Sequence, residues 1–332
     1  MLKLLKTYLQ VNKTMTPRNI LTLSSEEKRK FLDSFDHVFS DIDGVVWNMS
    51  HIIEGSADGF NALRQAGKHL TFITNNSVRP EEQCIQKLIK KNIEIKAENI
   101  MHPAKSIVEY LNSIKFKGLI YILASEEFKN VLKRAGYDLL EGPNVIVKES
   151  FTEAIGHVVD SQPVKAVIID FDFNLSFLKL MKANMYLRQP DCLLIGGATD
   201  FVLPVTKDLS VMGPGPFVKM LEQTSRKEML TFGKPGRALA EVLMQRSHIP
   251  TSDRVLMIGD MLEQDIRFAT SCGFQSLLVL SGGTSYEELI SQIDENVIPN
   301  YYAQSVADFV EFMKDDDHSP VKNLRPQDEP LS

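Results

Sequence analysis

The chain has 332 residues, 43% of them hydrophobic and 24% charged, enough to bury a sizeable core as two domains or as one large domain with an insertion. A net charge of -6, a pI near 5.7 and the lack of any Lys/Arg block exclude an electrostatic nucleic-acid surface. Cys84, Cys192 and Cys272 stand far apart without a CxxC pair, which argues against a disulfide framework and a structural zinc site and fits a reducing, cytoplasmic setting.

Taken in chain order, residues 1–18 carry Lys3, Lys6, Lys13 and Arg18 with no acid before Glu26, and Leu2, Leu5 and Leu9 share a helical face. The segment reads as a basic extension or, alternatively, as a mitochondrial presequence. No signal-peptide core is visible, and no apolar run reaches the roughly 18 residues a membrane span needs, so no membrane partner is expected.

Beyond it, short apolar runs alternate with polar turns and helical-period segments, the signature of strands and helices around a parallel sheet. The pattern predicts strands over 37–41, 69–74, 118–123, 166–170, 192–196, 229–232, 255–258 and 276–280. It predicts helices over 80–91, with Pro80 in the first turn, 126–135 ended by Gly136, 177–188, 237–246, and 263–271 ended by Gly273. The stretch 315–332, three aspartates followed by prolines, reads as a solvated tail.

Ligands of open parallel sheets sit beyond the carboxyl ends of the strands, so strand-terminal polar residues are where chemistry is expected. Four such ends stand out: Asp41-Ile42-Asp43-Gly44, Thr74-Asn75-Asn76-Ser77, Gly233-Lys234-Pro235, and Gly259-Asp260 followed by Asp265. The second and third are separated by a stretch with its own strand and helix pattern, which predicts an inserted domain over 117–231. The core then comprises 20–116 and 232–314, preceded by the extension 1–19.

Asp41 and Asp43 place two carboxylates at one strand end, and Gly44 lets the backbone approach a ligand. Carboxylates with water and phosphate oxygens are the natural ligands of Mg2+, which would hold Asp41 ionised and neutralise a phosphate under attack. Asp43, beside the leaving oxygen, can donate a proton to the alcohol and then activate water. Thr74, Asn75 and Asn76 form a neutral set suited to phosphate oxygens, and Lys234 can stabilise a transferring phosphoryl group. Asp260 is expected in direct or near-direct contact with the metal, and Asp265 as an orienting neighbour. Each motif alone has an ordinary reading: a turn Asp pair, turn asparagines, a solvated Lys, a helix-capping Asp.

Together, in the order DIDGVVW, TNNS, GKP and GDMLEQD, they resemble the four motifs of the haloacid-dehalogenase superfamily, in its p-nitrophenyl phosphatase and phosphoglycolate/pyridoxal phosphate phosphatase branch. The similarity extends from about Leu21 to Lys314, through FLDSFDHVFSDIDGVVW, FITNNSVRP and SLLVLSGGTS. The resemblance implies an α/β fold, a doubly wound parallel-sheet (Rossmann-like) core with an inserted α/β cap domain, and a homodimer through that cap. It also implies Asp41 as nucleophile, Asp43 as acid/base and Thr74, Asn75, Asn76 and Lys234 as the phosphate-contacting set. Asp41, Asp260 and the backbone carbonyl of Asp43 would form the magnesium shell. The implied substrate is a small phosphorylated metabolite such as phosphoglycolate or pyridoxal phosphate; a phosphoprotein phosphatase and a catalytically silent scaffold are the competing readings. Departures from the family pattern are Gln264 in the fourth motif, and in the cap Asp170-Phe171-Asp172 and Gly196-Gly197-Ala198-Thr199-Asp200, where the leaving group is chosen.

Other signals read as structural. Gly213-Pro214-Gly215-Pro216 is taken as the turn into a helix at Phe217, because its prolines remove backbone donors. Gly282-Gly283-Thr284 is taken as an ordinary strand-to-helix turn. The seven histidines show no HxxxH or HExxH spacing, and Trp47 is expected to pack under the cap.

Overall fold

In a computed structural model the described residues are 16–48, 51–206 and 209–314. A seven-stranded sheet runs in the spatial order Arg18–Asn19, Tyr301–Ala303, Gln275–Val279, Val255–Gly259, His37–Ser40, His69–Ile73, Ile100–Met101, and every pairing in it is parallel. Both faces are covered, which is why Val255–Gly259 is buried at every position and its sequence is uninterruptedly apolar. The chain returns on opposite sides of His37–Ser40, through His69–Ile73 on one and Val255–Gly259 on the other. That makes the carboxyl end of this central strand a topological switch point.

A second, five-stranded parallel sheet runs Leu230–Thr231, Leu193–Gly196, Val164–Ile169, Leu119–Leu123, Leu139–Leu140. Its side chains alternate between two cores, as period-2 geometry requires. Ile120, Ile122, Ala166 and Ile168 join a cluster with Phe39, Ile107, Phe128, Phe232 and Met257, whereas Tyr121, Leu123, Val167 and Ile169 pack with Ala183, Tyr186 and Leu221. The first cluster reaches residues of both sheets, so the insertion is welded to the core by continuous apolar packing. Two antiparallel hairpins complete the architecture, Trp47–Asn48 with His51–Ile52 and Val202–Thr206 with Leu209–Met212.

All eight predicted strands are present with ends shifted by no more than two residues. Four expectations need correction. Arg18 and Asn19, assigned to an extension, form the edge strand beside Tyr301–Ala303, and Arg18 is clamped by both terminal guanidinium nitrogens to Glu27 at 2.6 and 3.1 Å. Pro80 stands before helix Glu81–Ile89 as its N-cap, and helix Gly215–Ser225 starts inside the Gly-Pro repeat. The helix expected over 263–271 is split into a π-turn, Leu262–Ile266, and a helix, Arg267–Cys272. The readings of residues 1–15 as presequence or extension and of 315–332 as tail lie outside the described residues. Among the described residues no helix is long and apolar enough to cross a membrane.

Candidate active site

Parallel pairing of Ser40 with Ile258 puts Asp41 and Asp260 at adjacent strand ends, and the Asp41 N–H donates to the Ile258 carbonyl at 2.9 Å. Pairing of Ser40 with Phe72 brings Thr74 to the same edge. Gly44, at φ +86°, is required twice over: the turn is left-handed, and a Cβ there would fall 2.1 Å from Asp260 Oδ2.

Lys234 is the hub. Its ammonium, 2% exposed, lies 2.8 Å from Asp41 Oδ1 and 2.7 Å from Asp265 Oδ1. Its backbone is gripped by Asn75, whose Oδ1 accepts from the Lys234 N–H at 2.8 Å and whose Nδ2 donates to the Lys234 carbonyl at 3.0 Å. The same Nδ2 donates to Asp200 Oδ2 at 3.1 Å, tying in the loop that follows Leu193–Gly196. Asn75, expected among the phosphate contacts, thus has both ends of its amide engaged within the protein. Asn76 is exposed, and its Oδ1 accepts from the N–H groups of Val78 and Arg79. The Thr74 oxygen accepts from the Asn76 N–H at 3.1 Å, which leaves its hydroxyl hydrogen to donate.

Asp265 is fully buried; its Oδ2 accepts from the N–H groups of Asp260 and Met261 at 3.1 and 3.0 Å while Oδ1 takes Lys234. Oxygens of Asp41, Asp260 and Asp265 lie within 4.8 Å of one another. Three buried carboxylates face one ammonium, an imbalance that burial makes costly. Burial pushes the Asp41 carboxyl well above the usual range, with Lys234 opposing and Asp265, Asp260 and Asp43 reinforcing the shift. Burial, then Asp265, pushes Asp260 up to about 7 against the Gly283 N–H. Burial works against the Lys234 ammonium, yet Asp265 and Asp41 outweigh it and hold its pKa above the ordinary value. Asp260 Oδ1 is buried without a hydrogen-bond partner among the described residues. A hard divalent cation would answer both the charge imbalance and the unpartnered oxygen, so the donor set fits Mg2+.

Two contributors were passed over in the sequence. Gly283 donates its N–H to Asp260 Oδ2 at 2.6 Å, and a Cβ on Gly282 would fall 2.1 Å from that oxygen, so the Gly-Gly turn is a wall of the site rather than an ordinary turn. Trp47, expected to pack under the cap, is instead fully buried in the core cluster with Val38, Phe60 and Leu256, and it donates its indole N–H to Asp43 Oδ1 at 2.8 Å. The paired glycines could have signalled the first; nothing local signals the second. The Asp43 side chain turns to Trp47 and stands outside the three-carboxylate cluster.

The family model of haloacid dehalogenase-like hydrolases matches residues 38–138, and a second, described as HAD-hydrolase-like, matches 231–309. Phosphoglycolate phosphatase 1A, chloroplastic, of Arabidopsis thaliana is 31% identical over 304 residues, 89% of this chain and 82% of its own. The chain belongs to the haloacid dehalogenase-like hydrolases. The glycerol-3-phosphate phosphatase of Rattus norvegicus is 30% identical over 307 residues, 87% of this chain and 94% of its own. Among solved structures, a glycerol phosphate phosphatase from Mycobacterium tuberculosis in complex with magnesium superposes with a TM-score of 0.65 at 21% identity, covering 84% of this chain and 77% of that one. The fold is thus that of the family's phosphatases: a parallel-sheet core with an inserted cap.

Proposed function

We propose that the chain is a magnesium-dependent phosphomonoester hydrolase working through an aspartyl-phosphate on Asp41. The observation that carries the reading is the Asp41 carboxylate held 2.8 Å from the buried Lys234 ammonium, beside an Asp260 oxygen that has no partner. An Asp41 oxygen attacks phosphorus, and the bond to the leaving alcohol breaks with its electron pair on the alcohol oxygen, which takes a proton from Asp43. Water then attacks the same phosphorus, giving a proton to Asp43, and phosphate departs as the carboxylate of Asp41 is restored. Lys234 orients Asp41 and meets negative charge on the transferring oxygens, with the Thr74 hydroxyl as a further donor. Asp41, Asp260 and the Asp43 main-chain carbonyl would hold Mg2+, which would supply charge neutralisation for the phosphate. Asp265 keeps Lys234 and the Asp260 backbone in place.

The substrate is a small phosphorylated metabolite of the phosphoglycolate or pyridoxal phosphate kind. Two relatives of nearly equal identity are named for different phosphate esters, so overall similarity does not select the ester; the contact of the cap loop Gly196–Asp200 with Asn75 through Asp200 supports the reading that this loop does. The two sheets support core segments 20–116 and 232–314, extended at the front by the edge strand Arg18–Asn19, and a cap of 117–231. A homodimer through the cap is supported by the exposed hairpin residues Val202, Leu209 and Met212. Hydrolysis of p-nitrophenyl phosphate with Mg2+, lost with EDTA and in Asp41→Asn, is the deciding measurement. A folded protein inert toward this and a panel of small phosphates favours the scaffold reading; turnover confined to phosphopeptides favours the phosphoprotein one.

A further inference from the structure

Trp47 is the chain's single tryptophan and is fully buried, yet its one polar atom is committed to Asp43 rather than to the core around it. The loop between them is closed tightly: the Val46 N–H donates to the Ile42 carbonyl at 2.8 Å and the Gly44 N–H to the Trp47 carbonyl at 2.7 Å. Lys87 Nζ lies 3.8 Å from the centre of the Trp47 ring, where a cation draws electron density from the indole and strengthens its N–H as a donor. Asp43 Oδ1 accepts that N–H, while Oδ2 has no hydrogen-bond partner among the described residues. An oxygen accepting an indole N–H along this line is poorly placed to carry a proton of its own, because an indole nitrogen can only donate.

We propose that Trp47 is a positioning residue for proton transfer: by pinning Oδ1 as an acceptor it makes Oδ2 the oxygen that gives and takes the proton. The proposal rests on the phosphatase reading above. As the alcohol leaves, the O–H bond on Oδ2 breaks, its proton passes to the alkoxide oxygen, and its electron pair stays on the carboxylate. The charge that develops is met at Oδ1 by the Trp47 N–H, a hydrogen bond that strengthens as its acceptor becomes ionised. When water attacks the aspartyl-phosphate, the same oxygen receives the proton.

The consequence is selective. A poor leaving group needs the proton far more than p-nitrophenolate does, and kcat/KM reports only steps up to release of the alcohol. The test compares kcat/KM for p-nitrophenyl phosphate, phenyl phosphate and glycerol phosphate in wild type and Trp47→Phe. Because tryptophan occurs once, 3-benzothienylalanine can also be placed at 47; it keeps the fused ring and replaces the N–H with sulfur, which guards against loss of fold in the Phe variant. The expected result is a loss that grows along the series, about tenfold to a hundredfold greater for glycerol phosphate than for p-nitrophenyl phosphate. An equal loss on all three esters, or no loss, with the isostere overturns the proposal. Wild type that turns over none of them overturns the phosphatase reading and the proposal with it.

Discussion

The chain places the same pattern, an apolar strand ending in Asp-x-Asp, at two points: Asp41-Ile42-Asp43 after His37–Ser40 and Asp170-Phe171-Asp172 after Val164–Ile169. Both leading aspartates are buried. In the cap, Asp170 Oδ1 accepts from the Phe171 N–H at 2.5 Å and Oδ2 from the Ala198 N–H at 2.9 Å, while Asp172 pairs with the buried Lys179 at 2.9 Å. In the core, Asp41 shares one lysine with Asp265, and an Asp260 oxygen beside them is left unpartnered. One pattern is closed by its own loops and the other is open to a cation and a phosphate. Reactivity therefore lies in what the neighbouring elements leave unsatisfied, not in the motif alone.

The widest separation is expected in turnover. Asp41→Asn brings p-nitrophenyl phosphate hydrolysis to background, whereas Asp170→Asn keeps kcat within about tenfold because it touches only the cap loop; comparable losses in both would break the contrast. Next comes removal of each buried cation. Lys234→Met and Lys179→Met each leave buried carboxylate uncompensated and lower unfolding free energy by about 3–5 kcal/mol in urea titrations without metal. Added Mg2+ recovers part of the loss only in Lys234→Met, since among the described residues only the core site gathers three carboxylates within 4.8 Å of one another.

A third contrast is in pH. Burial pushes the Asp170 carboxyl up to about 6 from an ordinary 3.8, with the Phe171 and Ala198 N–H groups opposing. The fold holds this proton more tightly than the unfolded chain does, so the contribution is present below about pH 4 and is lost as pH rises through about 6. The full swing is about 3 kcal/mol. Urea midpoints at pH 5 and 7 should fall less with rising pH in Asp170→Asn than in wild type. The smallest effect is that of metal on wild type: Mg2+ at about a hundred times its Kd adds about 2.7 kcal/mol. The thermal midpoint rises accordingly, and Asp260→Asn abolishes the rise while Asp172→Asn does not.

Legibility followed burial and length. Strands such as Val255–Gly259 announce themselves because both faces are covered and every residue is apolar. Arg18–Asn19, Ile100–Met101, Leu139–Leu140 and Tyr301–Ala303 are two or three residues long and exist only because a longer neighbour offers a free edge, so no local period marks them. Helix Ser25–Asp33 carried a readable signal, a capping box between Ser24 and Glu27, that the apolar runs overshadowed. The π-turn at Leu262–Ile266 arises where Asp265 folds back onto the Asp260 and Met261 N–H groups, a bond invisible in helical periodicity.

The sequence by itself determined the alternation of strands and helices, the parallel sheets it implies, and the set of polar residues at strand ends from which the site is drawn. Those follow from periodicity and from the rule that buried strands are apolar until they reach a ligand. Tertiary structure alone decided which of those residues share charge: that Lys234 stands between Asp41 and Asp265, that Asn75 is spent on Lys234 and Asp200, that Gly283 meets Asp260 and that Trp47 takes Asp43. Most of these contacts join residues far apart in the chain. Each depends on the distances and shielding that burial sets, which a linear order of residues does not contain.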